Sequence, residues 1–169
     1  GAEHPKFARS LNNLAGVSMA LSDPDDPESL DEAENLLWTA ISVLEPIVGG
    51  EHPEIADILS QLALVYRLKK DFRTAMNLSG KALVIRVEAF GLEHPTVAAN
   101  MATVSEYLSY LVAVGESEDL DGDTEASDAG FRKALSIQES SLGPDHPDVA
   151  DTLFGWADSC KRLGDQGRA

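Results

Sequence analysis

A chain of 169 residues with 43% hydrophobic side chains is the size of one ordinary domain and can bury a core. Its 13 basic against 29 acidic residues leave a net charge of −16, which argues against nucleic acid and anionic membrane partners, because both are gripped by clustered Lys and Arg. One cysteine, Cys160, excludes an intramolecular disulfide, argues against a cysteine-based zinc site, and fits a reducing, cytoplasmic setting. No apolar run approaches the roughly 18 residues of a membrane span.

Along the chain one cassette returns four times: Gly, any residue, an acid, His-Pro, then Ala four residues after the His. It reads Gly1 to Pro5 with Ala8, Gly49 to Pro53 with Ala56, Gly91 to Pro95 with Ala98, and Gly143 to Pro147 with Ala150. The starts at 1, 49, 91 and 143 imply a unit near 42 residues with two insertions. Repeats are therefore expected at about 1–48, 49–90, 91–142 and 143–169.

Each His-Pro pair predicts a helix start, since Pro suits the first helical position and holds the preceding residue out of the helical region. In the second unit the apolar residues Ile55, Ile58, Leu59, Leu62, Ala63, Val65 and Tyr66 follow at helical spacing. A second helix is predicted from about Asp71 to Phe90, ended by Gly91. Every unit is thus a hairpin of a helix A and a helix B. Small residues recur in register: Ala63, Ala75, Ala82; Ala15, Ala33, Ala40 with 6 extra residues; Ser105, Ser127, Ala134 with 10 extra; and Ala157, Ala169. These mark where helices cross closely.

With Leu62-Ala63, Tyr66, Ala75 and Ala82, with Leu14-Ala15, Ala33 and Ala40, and with Val104-Ser105, Phe131 and Ala134, the chain resembles the tetratricopeptide repeat, and its Gly-x-Glu-His-Pro junction resembles the kinesin light chain type. Ser18, Leu108 and Cys160 depart from the helix A aromatic that Tyr66 keeps, and Cys160 is expected as a buried, inert thiol. The resemblance implies an all-α fold: a right-handed α-solenoid of stacked hairpins, about 3.5 repeats long, with helix A lining a concave wall. It implies a peptide-binding groove presenting Arg9, Asn12 and Asn13, then Asp57, Gln61, Leu64 and Arg67, then Glu106 and Tyr110, then Asp151, Phe154 and Lys161. Carboxamides such as Asn12, Asn13 and Gln61 can bond an extended peptide backbone, and Arg9 and Arg67 can grip a carboxylate.

The extra residues fall between helix A and helix B, at about 22–29 and 115–125. With their flanks these two stretches hold 14 of the 29 acids, among them Asp23, Asp25, Asp26 and Glu28, then Glu118, Asp119, Asp121 and Asp123. Such an acidic edge either docks a basic partner or is simply a solvated loop whose acids favour the start of helix B. Asp119, Asp121 and Asp123 also suggest the opening of a calcium loop, but Thr124 stands where that loop needs Gly and Gly130 where it needs Glu.

The four histidines occupy one slot of successive repeats, so they form a row and do not converge on a metal. No phosphate loop, nucleophile elbow or zinc-protease pair is present, and no enzyme, metal or cofactor is expected. The sequence opens on a junction without an initiator Met and stops at the first Ala of a fourth helix B, leaving Leu153, Phe154 and Trp156 with no successor. A segment of a longer repeat protein is expected, or an end-to-end contact through the last helix. The favoured function is a protein-binding adaptor taking a basic or amphipathic segment. A sensor module of a signalling NTPase and an architectural subunit of a large assembly are the alternatives.

Overall fold

The computed structural model describes residues 5–23 and 27–166. The first cassette up to His4, the acids Asp25 and Asp26, and Ala169 lie outside them. Among the described residues there are seven α-helices and no strand: α1 Pro5–Leu21, α2 Asp31–Val48, α3 Pro53–Leu68, α4 Phe72–Phe90, α5 Pro95–Ala113, α6 Leu120–Leu142 and α7 Pro147–Gln166. A short 3-10 turn, Pro27–Leu30, leads into α2. Helices α1, α3, α5 and α7 each begin on the predicted Pro.

The cassette is a knuckle with one geometry repeated three times. Its Gly ends a helix at positive φ, +89° at Gly49, +81° at Gly91 and +91° at Gly143, a region that L side chains enter only with strain. The N–H of each Gly donates to the carbonyl four residues back, and the following His N–H donates to the Gly carbonyl. The ring then turns onto the next helix: Nδ1 of His52, His94 and His146 accepts the N–H of Glu54, Thr96 and Asp148, each at 3.2 Å. Histidine here is an N-cap acceptor for one of the donors that a helix start leaves unpaired.

The chain divides into two compact units, Gly1–Ile85 and Arg86–Ala169, with the division falling inside α4. In the first unit α1 and α2 form a hairpin, and α3 packs on α2 and more lightly on α1. Ala15, Ala33 and Ala40 are fully buried, as are Ala63, Ala75 and Ala82. Lys69 ties α3 back to α2, with Nζ 2.5 Å from Asp31 Oδ1 and 2.6 Å from Glu34 Oε2, while Tyr66 Oη donates to Glu34 Oε1 at 2.5 Å.

In the second unit α5 and α6 form the hairpin, and α7 packs on both. Small residues bring α5 and α6 together: Ser127 donates to the Ser105 carbonyl at 2.8 Å, and Gly130 faces the Ser105 side chain, which a Cβ there would overlap. Ala98, Ala102, Phe131, Ala134 and Ile137 form the core, with Met101 and Trp156 against it. Trp156 is not left uncovered as expected. It stacks on Phe131 and donates to Asp128 Oδ1 at 2.9 Å, whereas Leu153 and Phe154 are exposed.

Two expectations are corrected. Cys160 is exposed rather than buried, because α7 turns Val149, Thr152 and Ser159 inward and Cys160 falls outside that stripe; Ala157 is exposed for the same reason. The stretch 115–125 is not wholly a loop. Asp119 accepts the Gly122 N–H at 3.1 Å and caps α6, so Asp121 and Asp123 lie in the helix's first turn, at the positive end of its dipole.

Candidate functional site

In each unit helix A of the hairpin and helix A of the next enclose a notch over the intervening helix B, between α1 and α3 in the first and between α5 and α7 in the second. In the first unit the notch is a cavity of about 270 Å³ lined by Arg9, Asn12 and Asn13 of α1, Glu54, Asp57 and Ile58 of α3, and Leu44 of α2. Four of the predicted groove residues thus meet. Asn12 Oδ1 is buried there with no hydrogen-bond partner, while Arg9, Asn13 and Asp57 are exposed at the mouth. Gln61, Leu64 and Arg67 lie further along α3, half-buried, and do not line it.

In the second unit the notch is about 360 Å³, lined by Ala99, Ala102, Thr103 and Glu106 of α5, Asp148, Asp151, Thr152 and Gly155 of α7, and Phe131 and Gln138 of α6. The register is the same: Asp148, Asp151 and Thr152 stand where Glu54, Asp57 and Ile58 stand, and Gln138 stands where Leu44 does. Of the predicted groove residues in this unit, Glu106 and Asp151 line the notch. Phe154 is 78% exposed and Lys161 is exposed, both away from it. Tyr110 is occupied within the fold, since the Arg162 guanidinium lies 3.6 Å from its ring centre. Arg162 also donates to Ser109 Oγ at 2.5 Å and pairs with Asp158. The pattern named Tyr110 because it counts positions along one helix and not what a neighbouring helix lays over them.

The acidic residues are mostly engaged locally. The Asp23 N–H donates to Ser29 Oγ at 3.0 Å, and Ser29 donates back to the Asp23 carbonyl at 3.1 Å, closing the turn before α2. Asp119 caps α6, and Asp123 accepts from Ser117 at 2.6 Å. Glu28, Glu118 and Asp121 are exposed.

Gln138, Leu44, Glu54 and Asp148 escaped the sequence reading. The register of small residues held the signal: Leu44, Arg86 and Gln138 each lie four residues after the second Ala of helix B. A polar residue in a slot that elsewhere holds Leu is what would have identified Gln138.

The tetratricopeptide repeat family matches residues 55–96 and 115–148. Two crystal structures of kinesin light chain TPR-like repeats from Podospora anserina superpose on 99% of this chain and 72% of their own, with TM-scores of 0.70 and 0.68 at 20% and 19% identity. The chain has the fold of tetratricopeptide repeat proteins. Among curated relatives, the clustered mitochondria protein homologs of Coccidioides immitis and Aspergillus oryzae are 28% and 25% identical over 120 residues, or 71% of this chain. That stretch is 9% of each relative's length, so this chain matches a small part of much longer proteins. The matched family is a repeat fold and indicates no catalytic activity. No described helix is long and apolar enough to cross a membrane.

Proposed function

We propose that this tetratricopeptide array is a non-catalytic interaction module that docks a basic or amphipathic peptide or helix over the helix A notches. The observation that carries this reading is the repeated notch, present in each unit at the same register and flanked both times by carboxylates: Glu54 and Asp57 in the first unit, Glu106, Asp148 and Asp151 in the second. An excess of negative charge over the chain favours positively charged partners and speeds their approach. Asn12 offers an unpaired acceptor for a peptide N–H. In a longer protein, such as the clustered mitochondria homologs, the module would supply one partner contact within a much longer chain.

A positional-scanning peptide library presented to the purified chain tests the reading. Basic or amphipathic sequences are expected to be selected, with affinity falling as salt rises, because exposed charges are screened over about 8 Å at physiological ionic strength. Selection of acidic sequences, or of none, would overturn it.

A further inference from the structure

The notches differ at their floors. The slot four residues beyond the second Ala of helix B holds Leu44 in α2, which is 1% exposed and apolar. In α4 it holds Arg86, whose Nη1 donates to Asn100 Oδ1 at 2.6 Å; Asn100 is the residue of α5 that corresponds to Ile58 of α3. In α6 it holds Gln138, also 1% exposed, and its Oε1 has no hydrogen-bond partner. A buried carboxamide oxygen without a donor costs free energy that leucine in that slot would not. An orphan acceptor at the floor of a cavity marks a place where a donor belongs.

The walls carry more acceptors than donors, the Thr152 hydroxyl being one donor among them. Glu106 and Asp151 form no ion pair with any described residue, and Asp148 stands 3.6 Å from His146 Nδ1. Thr103 already donates its hydroxyl hydrogen to the Ala99 carbonyl at 3.1 Å. Ala99, Ala102 and Gly155 are too small to fill the gap between α5 and α7, and the buried Phe131 ring backs it. The notch is therefore rich in acceptors, negatively charged at its mouth and apolar along its sides. The complementary group is cationic, carries several N–H donors and no acceptor, and is weakly hydrated. Guanidinium meets all of these conditions, whereas ammonium is more strongly hydrated and harder to bury.

We propose that the notch of the second unit is a socket for one arginine side chain of the docked segment, with Glu106 and Asp151 holding the charge and Gln138 Oε1 accepting at the floor. This rests on the peptide-docking reading and narrows it to a residue type and a place. The first unit differs: its floor slot holds Leu44, its unpaired acceptor is Asn12 Oδ1 on the α1 wall, and Arg9 at the mouth would repel a second guanidinium, so the proposal is confined to the second unit.

The test is an amide NMR titration of the ¹⁵N-labelled chain with the capped peptide Ac-Gly-Arg-Gly-NH₂ and with its neutral citrulline counterpart. The expected result is a saturable shift of the Gln138 side-chain amide and of the Thr152 and Gly155 backbone amides with the arginine peptide, and at least tenfold weaker binding of the citrulline peptide. Asp151→Asn is expected to weaken arginine binding about tenfold. Gln138→Leu, which installs the residue that α2 already carries at this slot, is expected to fold, keep its melting temperature and weaken binding by a similar factor. Shifts absent, confined to Asp119–Glu125, or equal for both peptides overturn the socket. If library-selected basic peptides bind Gln138→Leu and Asp151→Asn with unchanged affinity, the socket fails while the wider docking reading stands. If the chain selects no peptide at all, both fall.

Discussion

Glu34 of α2 accepts from Tyr66 at 2.5 Å and from Lys69 at 2.6 Å, so one carboxylate fastens the first hairpin to the helix that follows it. Burial opposes its ionisation, but the hydrogen bonds from Lys69 and Tyr66 outweigh burial and hold the carboxyl below its usual range. For Tyr66, burial and the bond to Glu34 raise the pKa together. For Lys69, burial lowers it, but Asp31 and Glu34 prevail and raise it.

The signs of these shifts define a pH window. A depressed carboxylate contributes stability above its unfolded value, near pH 4.3, that is lost as pH falls through the folded value. A raised Tyr and a raised Lys contribute stability below about pH 10 that is lost as pH rises through their folded values. Glu34→Gln is expected to cost about 1–2 kcal/mol at pH 7, less at pH 3, and to flatten the acid limb of melting temperature against pH. Calorimetry of both proteins across pH 3 to 11 checks it, and parallel curves would refute the lock.

The junction yields a pair of opposite outcomes at one residue. His52→Ala removes the Nδ1 acceptor for the Glu54 N–H and is expected to cost about 1 kcal/mol, while His52→Asn, which keeps a side-chain acceptor, is expected to stay within a few tenths. Gly91→Ala, forced to hold φ +81°, is expected to lose about 1–2 kcal/mol. Urea unfolding midpoints measure all three.

Gly130 sits inside α6, where Ala is ordinarily better by about 1 kcal/mol. Here the new Cβ would overlap the Ser105 hydroxyl, so Gly130→Ala is expected to destabilise by about 1 kcal/mol instead. Ser105→Ala in the same chain removes the obstructing oxygen. A double-mutant cycle should therefore show strong coupling, and simple additivity would mean that Ser105 rotates away without cost.

Arg162→Met is expected to lower stability by about 1–2 kcal/mol through loss of the Tyr110 stack and the bond to Ser109. Because neither residue lines a notch, peptide affinity is expected to change less than twofold. A larger loss of binding would place Tyr110 or Arg162 in the peptide site.

What could be read from residue order was whatever is local. The His-Pro starts, the Gly stops and the small residues at the crossings depend on neighbours within one helix or one turn, and α3, α5 and α7 begin on the expected Pro. Arg9, Asn12, Asn13 and Asp57 line one notch because their slots face it whatever else surrounds them. The covering of Tyr110 by Arg162 and the exposure of Cys160 were not legible, because they depend on which side of α7 meets α5 and α6, a contact that spans some fifty residues, as in the Ser109 to Ser159 hydrogen bond. Asp121 and Asp123 read as loop because charge density suggests solvent; the cap at Asp119, three residues before Gly122, is what begins the helix early.

The hydrogen bonds that turn the backbone through the Gly-x-acid-His-Pro knuckle close between residues no more than four apart, as from Gly49 to Glu45, His52 to Gly49 and Glu54 to His52, while the bond from Lys133 to the Glu93 carboxylate is a side-chain addition to one of them. The turn itself therefore asks little of the rest of the molecule. It is a portable joint: grafted between two unrelated helices it should impose the same bend, and hairpins could be inserted or deleted at these joints with the ends already made to fit.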